Sequence, residues 1–200
     1  AEQLQRLGIP VFADTRSGLF ETTEIRDACV LLEVMANPDR DIPLAALLRS
    51  PMVGWSESEL VRVRLTGEAD SRRFRHFVAS GARQGDDDAF HLKCREALNL
   101  IEEWRSRFRS AETAKTLEEI LTETGYLTFI EGLPGGPQRR ANVFHFLNLV
   151  RAAESGPAKG VRAVLEFIWS LQEAERDVGT ARPLPASENV VRIMSIHHSK

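Results

Sequence analysis

The sequence predicts a mainly α protein in which a helical middle is held between two short flanks of α/β character. Apolar residues recur at spacings of three and four through the middle, roughly 66 to 187, as one face of a helix requires. A short β-rich run lies near each end, Ile9 to Ala13 and Val190 to Met194. Between the apolar stretches stand Gly and Pro breaks, such as Gly132 to Pro137 and Gly156-Pro157, which punctuate helices.

Taken in order, Ala1 to Leu7 reads as the tail of a helix closed by Gly8, and Ile9 to Ala13 as a strand. Asp14 to Leu19 is a loop. Phe20 to Ala36 is a strong helix. Thr22 or Thr23 caps it, Glu24 sits in the first turn where the helix dipole favours a carboxylate, and Ile25, Ala28, Cys29, Leu32 and Met35 share the apolar face. Asn37-Pro38-Asp39 ends it. Ile42 to Leu48 is a short helix stopped by Arg49-Ser50-Pro51, and Gly54-Trp55 is a turn. Ser56 with Glu59 fits a capping box for a helix to about Leu65.

A boundary falls at Thr66 to Asp70. Ser71 to Ser80 interleaves Arg72, Arg73 and Arg75 with Phe74 and Phe77. Such a run can bind nucleic acid, or it is an amphipathic helix with Phe74, Phe77 and Val78 inward; its shortness favours the helix. Asp86, Asp87 and Asp88 read as a charged helix start, since no calcium-loop spacing follows them. Ala89 to Phe108 is a long helix with Leu92, Leu98, Ile101 and Trp104 among its apolar positions. Thr116 with Glu119 is expected to cap the next, which ends at Gly125. Tyr126 to Ile130 is short and apolar. Helices over Arg139 to Glu154 and Val161 to Glu175 follow. Thr180 to Ser187 is an extended linker into Val190 to Met194.

The 200 residues are 42% hydrophobic and 28% charged, which suits a globular chain with a sizeable core. A formal charge of −3 supplies no overall basic field, so any nucleic-acid contact must be local. Cys29 and Cys94 lie far apart in helical segments and read as small buried hydrophobes, with neither a disulfide framework nor a metal site between them. No apolar run spans a membrane and no leader is evident, so a cytoplasmic protein is expected. Ala1 to Leu7 enters in mid-helix and Lys200 falls in a polar turn, so the chain is expected to be a piece of a longer one.

No GxxxxGK[ST] loop, dinucleotide fingerprint, zinc spacing or nucleophile elbow is present. His76, His91 and His145 are scattered, and each reads as a packed or surface histidine. No catalytic residue and no metal ligand is assigned. The polar cluster after the last strand, Ser195, His197, His198, Ser199 and Lys200, differs. A strand ending in hydroxyl, imidazole and ammonium groups can present them to phosphate, although a plain polar loop has the same composition.

Ile193-Met194-Ser195-Ile196-His197-His198-Ser199-Lys200 resembles the start of motif V of UvrD-like superfamily 1A DNA helicases, M-T-[IL]-H-x-[AS]-K-G-L-E-F, with Ser195 in the threonine place. Gly8-Ile9-Pro10-Val11, Gly18-Leu19-Phe20-Glu21 and Glu24-Ile25-Arg26-Asp27 are similar to another stretch of the same helicases. Asp41-Ile42-Pro43-Leu44 with Leu48-Arg49-Ser50-Pro51 and Gly54 is most like the AddA and RecB branch. Gly125-Tyr126-Leu127, then Arg139-Arg140-Ala141-Asn142-Val143 and Leu147, resembles the Y…R-x-x-N-[LV]-x-x-L pattern of the domain called 2B. The likeness spans about residue 7 to 200 and is weak between 66 and 125.

The resemblance implies a fragment of an ATP-dependent DNA helicase and nuclease of AddA type, acting in double-strand break repair and recombination. Residues 1–65 would be part of a RecA-like domain 2A, 66–187 a helical 2B-like insertion, and 188–200 the return to domain 2A. It implies that Ser195, His197 and Lys200 bind DNA and that Ser50, Arg139 and Asn142 lie near it. ATP and Mg2+ would serve the parent protein, with none expected in this piece, which should be inactive alone. The implied partners are DNA, as single strand and duplex junction, and an AddB-type subunit, with no membrane. Ile9 to Phe12 and Val190 to Met194 should then share one parallel sheet. Two other readings stand beside this one. A helical protein–protein interaction module is favoured by the near-neutral charge, and a stand-alone enzyme is disfavoured by the absence of a catalytic set.

Overall fold

The computed structural model describes residues 11–13, 18–66, 74–83, 89–156, 159–177 and 191–193. Two strands, β1 (Val11–Ala13) and β2 (Val191–Ile193), pair in parallel with Val11 opposite Val191 and Ala13 opposite Ile193. This is the pairing expected of the two terminal β-rich runs. Parallel neighbours need a long crossover, and here the crossover is the whole helical body.

That body comprises α1 (Thr23–Ala36), α2 (Asp41–Arg49), α3 (Glu57–Thr66), α4 (Phe74–Arg83), α5 (Ala89–Ser110), α6 (Thr113–Glu123), α7 (Tyr126–Glu131), α8 (Gly136–Glu154) and α9 (Val161–Asp177). Helix α1 is its hub. It packs on α2, α5, α8 and α9, because it buries apolar side chains on most of its circumference, Leu31 and Val34 as well as the expected Ile25, Ala28, Cys29, Leu32 and Met35. One apolar core runs from Phe20 to Ile168, and Val63 of α3 and Phe74 of α4 both belong to it. The expected boundary at 66–70 therefore falls between two helices that share a core.

Local grammar explains some helix ends. Ser56 and Glu59 form the capping box: Glu59 Oε2 accepts from the Ser56 amide at 2.7 Å, and the Glu59 amide donates to Ser56 Oγ at 3.3 Å. The Ser56 bonds and Lys93, 2.8 Å away, hold the Glu59 carboxyl down at about 2, the Lys93 hydrogen bond being the largest cause. Gly125 takes a left-handed φ of 71° between α6 and α7. Gly136 is required by space: a Cβ there would lie 2.0 Å from the Glu131 carbonyl oxygen. As a result α8 starts at Gly136, three residues before the expected Arg139, with a proline in its first turn.

The buried stripe of α5 is Phe90, Cys94, Ala97, Ile101, Trp104 and Phe108, and the apolar Leu92 lies off it, 41% exposed. Two expectations are corrected. Thr22 occupies the N-cap position of α1, but its hydroxyl donates back to Leu19 O at 2.8 Å in place of capping the helix. The Thr116–Glu119 box does not form. Helix α6 begins at Thr113, and Glu154, the last residue of α8, reaches across to accept the Thr113 amide at 2.5 Å and the Ala114 amide at 3.0 Å. The hydroxyls of Thr113 and Thr116 are buried without a hydrogen-bond partner. Arg72, Arg73, Asp86 to Asp88 and the 180–187 linker lie outside the described residues. Phe74, Phe77 and Val78 face inward as expected.

Candidate functional site

Helix α1 carries two carboxylates one turn apart, Glu24 and Asp27, on the side that meets α7 and α8. Glu24 lies in the first turn as expected, and it is only 2% exposed, so its carboxylate faces the interior. Both of its oxygens are used. Oε2 accepts from Arg139 Nη1 at 2.8 Å and Oε1 from Asn142 Nδ2 at 2.8 Å. Arg139 and Asn142 reach one carboxylate together because residues three apart on α8 share a face. Arg139 Nε also donates to Pro134 O at 3.0 Å, tying the loop before α8 to the same group. Tyr126, the first residue of α7, donates its hydroxyl to Asp27 Oδ2 at 2.7 Å.

The electrostatics follow from burial. Removal from water pushes the Asp27 carboxyl up and the nearby Glu24 charge adds to this, while the Tyr126 hydrogen bond opposes it. Burial, then the Asp27 hydrogen bond, pushes the Tyr126 phenol well above its ordinary value. Because Asp27 holds its proton to higher pH when folded than when unfolded, its contribution to stability is full below the ordinary carboxylate range. That contribution is lost as pH rises through the folded value. Asp27→Asn keeps an acceptor for Tyr126 and cannot ionise. The stability of the native chain relative to this variant should therefore fall as pH rises above the ordinary carboxylate range. Urea midpoints measured from that range upward check this, and a difference that rises with pH would contradict it.

The residues expected near DNA are placed as follows. Ser50 is buried, and its hydroxyl donates to Leu47 O at 2.7 Å within the turn that ends α2. Arg139 and Asn142 each donate to Glu24, and Arg139 also to Pro134 O, while the Arg139 side chain remains 31% exposed. Ser195, His197 and Lys200 lie outside the described residues, beginning two positions past β2. The Y…R-x-x-N pattern and the Glu24…Asp27 stretch, read from the sequence as separate resemblances, are two halves of one cluster. Their pairing was visible only as complementary charge about a hundred residues apart, which spacing alone does not reveal.

Elsewhere, among the described residues, several surface cations are matched. Arg107 bridges Glu119 and Glu123, Arg151 meets Glu118, Arg140 meets Glu131 and Arg49 meets Glu57. A cleft of about 310 Å3 along α6 is lined by Glu118, Glu119, Glu123, Thr122 and Lys115, an acidic wall poorly suited to phosphate. Burial pushes the Cys29 thiol up to about 12 and the Cys94 thiol up to about 11, so neither is a ready nucleophile. Among the described residues no cluster of His, Cys, Asp and Glu could hold a metal, and no helix is long and apolar enough to cross a membrane.

The fold is thus mainly α, a helical body whose two short flanking strands pair in parallel. No family model matches the sequence. Over its whole length, however, the chain is 41% identical to the AddA protein of the ATP-dependent helicase/nuclease of Geobacillus thermodenitrificans, 41% identical to that of Pelotomaculum thermopropionicum and 38% identical to that of Bacillus velezensis. The chain spans 16%, 15% and 16% of the length of these relatives. It is thus related from end to end to one segment of the AddA-type helicase/nuclease proteins, the branch its motifs resemble.

Proposed function

We propose that this chain is the helical insertion, with its bracketing strands, of an AddA-type ATP-dependent DNA helicase and nuclease that serves double-strand break repair and recombination. The observation that carries the reading is the parallel pairing of β1 with β2, because β2 leads directly toward the motif V-like residues. Residues 1–65 and 188–200 belong on this reading to a RecA-like domain 2A, and 66–187 to a 2B-like insertion packed against it. Ser195, His197 and Lys200 contact the DNA backbone. ATP and Mg2+ act elsewhere in the complete protein, which also carries the exonuclease and meets an AddB-type partner in the cytoplasm. The role of Ser50, Arg139 and Asn142 is to shape the body that stands beside the DNA, since each makes an internal hydrogen bond.

The test is salt-dependent binding of forked DNA to the complete protein. Replacing His197 and Lys200 by alanine should weaken binding alike for all sequences. It should also lower the slope of log affinity against log salt by about 0.7 for each single-strand phosphate no longer neutralised. The matched surface charges favour a second reading, a helical interaction module that does not touch DNA. An unchanged slope in the His197→Ala, Lys200→Ala variant would support that module.

A further inference from the structure

We infer that the Glu24–Arg139–Asn142 and Asp27–Tyr126 contacts form a register lock that fixes the α7–α8 hairpin against α1. This lock concerns helix register and stands apart from the helicase reading. The apolar part of the joint has little directional content. Phe20 meets Phe146 edge-on at 6.5 Å, with Ile25, Leu32 and Val143 buried in the same core. Hydrophobic burial is non-directional, so apolar packing specifies register less sharply than a polar contact does. The polar part does not tolerate sliding of one helix along the other. A slip of one turn moves Arg139 by about 5.4 Å along the axis. Glu24, 2% exposed, would then have no partner, and a buried unpaired carboxylate strongly disfavours that state. Two carboxylates one turn apart, gripping one residue on α7 and two on α8, hold both position and direction.

The hairpin is built to move as one piece, which makes a single lock effective. The Gly136 backbone lies so close to Glu131 that no Cβ fits between them. Arg140 pairs with Glu131 across the loop, and Arg139 holds Pro134 O while it holds Glu24. Fixing Arg139 therefore fixes the loop of residues 132–135 and α7 with its half-exposed Phe129. Asp27 and Tyr126 secure the other limb.

Paired spin labels at Ala36→Cys on α1 and Thr128→Cys on α7, both exposed positions, read this register directly, since the native Cys29 and Cys94 are buried. The native background should give one narrow distance. Glu24→Leu with Arg139→Met, which keeps volume and removes the charges, should broaden the distribution or shift it by about one helical turn, ~5 Å. Helix content should be unchanged. A narrow distribution identical to the native one would overturn the lock and assign register to packing alone. Should that variant fail to fold, Arg139→Lys decides the matter. An ammonium is a point charge without the planar fork that lets Arg139 hold Glu24 and Pro134 O together. Broadening supports the lock, and an unchanged distance overturns it.

Discussion

Phe146→Ala should lower the free energy of unfolding by about 3–5 kcal/mol, the range for deleting a fully buried aromatic side chain. Phe146 has no exposed surface, and it stands on α8 where that helix meets α1, its ring edge-on to Phe20 at 6.5 Å. Neighbours on both helices are committed to other contacts, Glu24 to Arg139 on one side and Leu147 and Val150 to the core on the other, so little collapse into the cavity is available. Since domains of this kind are stable by only about 5–15 kcal/mol, the loss is a large share of the total. Urea denaturation should show a lower midpoint with an unchanged slope, the signature of a folded state weakened without a change in the surface it exposes on unfolding. A loss below about 1 kcal/mol would mean that α8 repacks freely against α1, contrary to a tight joint between them.

How much of this was legible in the sequence depends on how far each determinant reaches. The capping box at Ser56 and Glu59 and the left-handed Gly125 are local, so spacing of three residues or a single glycine announces them, and both stand as read. The apolar stripe of α1 was readable for the same reason. Helix α6 is the counter-example. Its cap comes from Glu154, forty residues on, and the local Thr116–Glu119 pair was a false signal because Thr116 points into the core. In α5, Ile101 and Trp104 of the apolar positions lie on the buried line with Phe90, Cys94 and Ala97, while Leu92 stands off it. Family resemblance singled out Arg139 and Asn142, and nothing in the sequence signals that both meet the buried Glu24, more than a hundred residues away.

Arg139→Ala should cost about 2–4 kcal/mol, much more than an ordinary surface arginine, whose ion pairs contribute about 0–1 kcal/mol. The asymmetry of the pair sets the size. Arg139 retains 31% exposure, so water screens part of its charge, whereas Glu24 retains 2% and has no such recourse. Truncation leaves Glu24 with Asn142 alone and takes the Arg139 donor from Pro134 O. The loss should therefore exceed that of Glu24→Leu combined with Arg139→Met, in which no charge remains buried, because replacing a buried pair by apolar groups is commonly neutral. A double-mutant cycle should return a coupling of about 1–3 kcal/mol between the two positions. Coupling near zero would reduce the pair to a surface contact and remove the reason for its two motifs to meet. Strong coupling, with the uncharged pair folding well, would mean that the charges serve the placement of α8 on α1 more than the stability of the chain. Placement is what a helical body carried between two strands of a sheet requires of its first helix.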